Sequence, residues 1–92
     1  MKAMDKATLE SKVKEYRSLP NRKDLERRTY ESITVGRNVI GMSLFEPSSW
    51  MVAAITFLKW VFDVESAQRA SILAQKEGIE KMVIEIFMNE VK

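Results

Sequence analysis

The run from residue 50 to residue 62, WMVAAITFLKWVF, constrains this chain more than any other feature, because Thr56 and Lys59 alone interrupt its apolar character. A helix of thirteen residues spans about 20 Å, against the roughly 30 Å of a bilayer's hydrocarbon core, so the run is too short to cross a membrane. A helix apolar nearly all round belongs at the centre of a fold or at a subunit boundary. The break before it, Glu46-Pro47-Ser48-Ser49, gives it a defined start, with Ser48 or Ser49 placed to cap it.

The other segments read as amphipathic helices that supply the wrapping. Asp5 is a candidate cap for a first helix that carries Leu9, Val13 and Tyr16 on one face and stops before Pro20. Asn21, with Asp24 in the place of a capping-box acid, opens a second helix whose apolar register is Leu25, Thr29, Ile33 and then Gly36 or Ile40, with Tyr30 on its shoulder. Gly36 and Gly41 make the stretch 35–45 ambiguous. The spacing of Val39, Ile40, Ser43 and Leu44 favours a helix continuing to about Leu44, and the rival is a helix ending at Gly36 followed by an extended segment.

Asp63 is expected to end the apolar run and to cap a final segment with a small-residue face, Val64, Ala67, Ala70, Ser71 and Ala74. Beyond Gly78, a broader face comprises Ile79, Met82, Val83, Ile86 and Phe87. Without a proline or polar loop nearby, the pattern predicts one long or slightly kinked helix through Gly78, in which Glu77 and Lys81 form a supporting pair four residues apart. The expected fold is therefore all-α, one domain over residues 1–92, a compact bundle of four to five helices around the hydrophobic central one. A small mixed α/β fold with an extended segment near Gly36 is the alternative.

Composition narrows the chemistry. The chain has no cysteine and no histidine, so within the single chain disulfides, thiol nucleophiles, serine-histidine-acid triads and the usual thiolate or imidazole zinc sites are excluded. No metal and no cofactor is expected, and the chain is not expected to be an enzyme. The start is charged where a secretory signal needs an apolar core, and the expected location is the cytoplasm.

The net charge of +2 is a weak pull on a polyanion, although residues 1–46 hold ten basic and seven acidic side chains against five and six in residues 47–92. The leading expectation is a protein-binding module or small regulatory adaptor, with self-association into a homodimer in view, since a lone chain this small is hard pressed to wrap the central helix. Its candidate contact residues are Arg27, Arg28, Tyr30 and Arg37, with Trp50 and Trp60 as apolar anchors. The alternative is a nucleic-acid-binding regulator using Arg22, Lys23, Arg27, Arg28 and Arg37, interrupted by Asp24, Glu26 and Glu31.

Overall fold

The computed structural model describes the backbone of residues 5–39 and 49–89, and the side chains of residues 5–33 and 49–89. Five helices follow in order: α1 (Lys6–Arg17), α2 (Arg22–Val39), α3 (Ser49–Phe62), α4 (Ala67–Glu77) and α5 (Glu80–Asn89). The architecture is all-α, with no strand among the described residues. Helix α3 is the predicted apolar run, and each of the other four helices packs against it.

The wrapping is more complete than the sequence led one to expect. From Trp50 to Phe62 every residue of α3 is buried or half-buried within the one chain. The physical reason is that a short helix with four neighbours has little circumference left over. Leu9, Val13 and Tyr16 of α1 close one side, and Ala70 and Ala74 of α4 are fully buried on another. Their lack of bulk lets α4 lie close to the hub. Ile79, Val83 and Phe87 complete the core from the C-terminal end.

Aromatic rings form the centre of that core. Phe57 lies 5.7 Å from Tyr16 and 5.6 Å from Phe87, with Tyr16 and Phe87 6.2 Å apart. Edge-on and tilted contacts at these separations are the favoured geometry for aromatic pairs. Phe57 is thus core, whereas Trp50 and Trp60 are half-buried at its margins. Trp60 reaches back over Tyr16, at 5.9 Å.

Helix boundaries correct three expectations. At Gly78 the chain takes φ 73°, the left-handed region, and the helix ends. The Gly78 N–H donates to the Gln75 carbonyl at 3.1 Å and the Ile79 N–H to the Ala74 carbonyl at 3.0 Å, while the Ile79 side chain is buried. This pairing satisfies carbonyls that a helix end leaves open, and the apolar residue after the glycine seals it. The long helix through Gly78 is therefore two helices, and Glu77 and Lys81 do not share one.

Asp63 ends α3 as expected but does not cap α4. It takes φ 55°, and the next N–H, of Val64, donates to the Lys59 carbonyl at 3.0 Å, repeating the termination seen at Gly78. Ser66 caps α4 instead, accepting from the Arg69 N–H at 3.2 Å. In the second helix the backbone stays helical through Gly36 to Val39, so the rival ending at Gly36 is not followed. The predicted continuation to Leu44, and Ser48 as a cap, fall outside the described residues.

Candidate functional sites

Two surfaces stand out, one polar and concave, one apolar and exposed. The first begins on α2, where Thr29 occupies the buried register among apolar neighbours. Its hydroxyl donates to the Leu25 carbonyl at 3.1 Å and lies 2.8 Å from the Thr56 hydroxyl of α3, which is also 2.7 Å from the Val52 carbonyl. Buried hydroxyls need partners, and each threonine meets the need partly with its own helix and partly with the other. The pair therefore ties α2 to α3 at one register.

Lys59 lies one turn along α3 from Thr56 and directs its Nζ to the Thr29 hydroxyl at 3.5 Å. Leu25, Arg28, Thr29, Thr56, Lys59 and Trp60, with Asp63, Val64 and Glu65 of the following loop, line a cleft of about 360 Å³. Beside this, Tyr16 donates from its hydroxyl to Glu26 of α2 at 2.5 Å. Burial pushes the Tyr16 phenol well above the usual tyrosine range, and the Glu26 carboxylate adds to it, so the phenol stays protonated and acts as a donor.

The structure brings two of the predicted contact residues together, because Arg28 and Trp60 share that cleft. Trp50 lies elsewhere, beside Arg22 and Glu26 in a shallower depression that also includes Arg17 and Phe87. Tyr30 is half-buried on α2, Lys23 is exposed, and the Arg37 side chain falls outside the described residues.

The predicted basic set is largely engaged by acids of its own helix. Arg27 lies 2.5 Å from Asp24 and 3.2 Å from Glu31, Arg28 lies 3.2 Å from Asp24, and Arg22 lies 3.9 Å from Glu26. The hydrogen bond from Arg27, followed by the charge of Arg28, holds the Asp24 carboxyl below its ordinary range, and the Arg27 guanidinium is in turn raised by Asp24 and Glu31. Such exposed pairs contribute little to stability, but they offset the positive charge that a phosphate backbone would meet.

The second surface was not anticipated. Ile72 of α4 and Ile84 and Met88 of α5 are 50%, 37% and 43% exposed. Glu80, at the start of α5, accepts from the Ser71 hydroxyl at 2.8 Å and from the Gln75 side-chain amide at 3.2 Å, which fixes the faces the two helices turn toward each other. Ile72 stands three residues before Gln75, and Ile84 and Met88 stand four and eight after Glu80. Ile84 and Met88, four residues apart, share one face of α5, and Ile72 is exposed on α4.

The signal for both surfaces was present but incomplete. α5 reads EKMVIEIFMN, too apolar for a helix with one buried stripe, and the surplus is what reaches the surface. Thr29, Thr56 and Lys59 are polar residues in apolar registers, a pattern that marks positions without revealing that they converge.

Among the described residues no group of three or more acidic side chains is arranged to hold a metal ion, and no helix is long and apolar enough to cross a membrane. No family model matches the chain, and neither a curated protein nor a solved structure with significant similarity to it was found.

Proposed function

We propose that the chain is a non-enzymatic protein-interaction module that pairs with a second copy of itself through the α4–α5 hairpin. The observation that supports this reading is that the exposed large apolar side chains among the described residues, Ile72 of α4 and Ile84 and Met88 of α5, all belong to that hairpin. Apolar side chains grouped at a surface favour association because pairing removes them from water. A self-complementary face also suits two-fold pairing, in which each copy offers the same residues to the other. Glu80, hydrogen-bonded at the turn of the same hairpin, gives the pairing a polar rim.

The reading moves the apolar anchor away from Trp50 and Trp60. Both are half-buried and packed against the chain's own core, whereas the hairpin residues are more open. Arg27 and Arg28 serve in this reading as part of a solvated face.

Size-exclusion chromatography with light scattering over a concentration series tests it. The expected mass approaches about 21 kDa, twice the chain's 10.6 kDa, and Ile84→Asp returns it to that of a single chain with unchanged helical circular dichroism. A mass of one chain at every concentration up to the millimolar range overturns the proposal, as does a dimer indifferent to Ile84→Asp and Met88→Asp.

A further inference from the structure

The cleft between α2 and the C-terminal end of α3 holds a charge arrangement that the protein-interaction reading leaves unused. Lys59 is half-buried, and its ammonium turns inward to the Thr29 hydroxyl, itself 1% exposed, rather than outward to water. Long charged side chains on a surface helix ordinarily extend their head group into solvent. Among the described residues no carboxylate lies within ion-pair distance of Lys59. An ammonium has three donors, and a 3.5 Å contact with one hydroxyl leaves most of that capacity directed at the cleft.

The walls set the rest of the ligand's character. Leu25, Trp60 and Val64 offer apolar surface, and a volume of about 360 Å³ falls at the small end of the roughly 300–1,000 Å³ that ligand pockets occupy. Arg28 adds a second cation at the margin, partly offset by Asp24 at 3.2 Å. Asp63 and Glu65 stand at the loop side of the cleft. Their charge opposes a dianion more strongly than a monoanion, which favours one carboxylate over a phosphate.

We propose that this cleft binds a small monocarboxylate with an apolar body, its carboxylate on Lys59 Nζ and its hydrocarbon against Leu25, Trp60 and Val64. Binding brings a counter-charge to the inward-facing ammonium and an apolar neighbour to the half-buried indole of Trp60. The site shares no residue with the α4–α5 face, so one assignment can fail while the other stands.

Calorimetric titration of the whole protein with octanoate, octanol and octylamine tests the assignment, with Trp60 emission as a second signal in a Trp50→Phe background. Octanoate is expected to bind saturably at least about tenfold more tightly than octanol, the scale of one charge-assisted hydrogen bond. Octylamine is expected not to bind. Lys59→Met reduces octanoate to the octanol level, and Lys59→Arg restores part of the difference. No saturable octanoate binding, equal affinity for octanoate and octanol, or a preference for octylamine overturns the proposal. The ligand series needs no variant, so it decides the matter even if Lys59→Met fails to fold.

Discussion

Helix α2 and the α4–α5 hairpin both pack against α3, yet they finish their outer faces in opposite ways. Along α2 the exposed charges are answered within the helix, Asp24 by Arg27 and Arg28, and Glu31 by Arg27, at three- and four-residue spacings. On the hairpin, Ser71, Gln75 and Glu80 answer one another at the turn, but Ile72, Ile84 and Met88 are left open to water. A face whose groups satisfy one another locally has little to gain from a partner, whereas exposed apolar area gains by being covered. The proposed pairing face accordingly follows apolar surplus rather than charge density.

The largest test of the comparison removes what the two regions share. Phe57 is fully buried in the aromatic centre, where it meets Tyr16 and Phe87. Phe57→Ala is expected to cost about 3–5 kcal/mol, measured by urea unfolding, with amide protection in α2 and in the hairpin falling together. Protection that survives in α2 while the hairpin opens would mean that the regions do not depend on one core.

A smaller effect is confined to the hairpin. An added Cβ at Gly78 meets nothing within 4 Å, so Gly78→Ala strains only the backbone, which sits at φ 73°. The expected cost is about 1–2 kcal/mol, read as a lower melting temperature. Because the turn places Glu80 beside Ser71 and Gln75, any dimer formed by the hairpin should weaken as well. An unchanged melting temperature would show that the left-handed turn does not terminate α4.

The smallest effect belongs to α2. Asp24→Asn removes the carboxylate shared by Arg27 and Arg28, and the change in melting temperature is expected to be less than that of Gly78→Ala and to vanish in high salt. Because the folded carboxyl is held below its ordinary value of 3.8, its contribution is present above that value and is lost as the pH falls through the lower folded one. The variant should accordingly lose less stability than the parent on acidification from about pH 4 downward. A salt-resistant loss as large as that at Gly78 would show that the pairs hold the fold rather than merely finish its surface.

Much of the architecture was legible because it is written in short-range patterns. The α1 stripe of Leu9, Val13 and Tyr16 is buried as its spacing predicts, and the apolar run became the central helix within one residue of its expected limits. Gly78 was misread because a glycine inside a helical pattern has two outcomes. What selected termination was burial of Ile79 after it, a contact with the core rather than a property of neighbouring residues. Asp63 was half-read for a similar reason: the chain does end α3 there, but Ser66, three residues on, has the extended backbone a cap requires.

The amino-acid sequence by itself determined the helical class, the central position of residues 50–62 and the exclusion of thiol and imidazole chemistry within this chain. These follow from periodicity, capping residues and composition, which act over a turn or two of chain. Only the tertiary structure decided that Thr29 meets Thr56 and Lys59, 27 and 30 residues away, and that Ile72, Ile84 and Met88 stay exposed while Ile79, Val83 and Phe87 are buried. Such meetings depend on how whole helices pack around α3, where burial of many apolar side chains outweighs the preference of any one polar group.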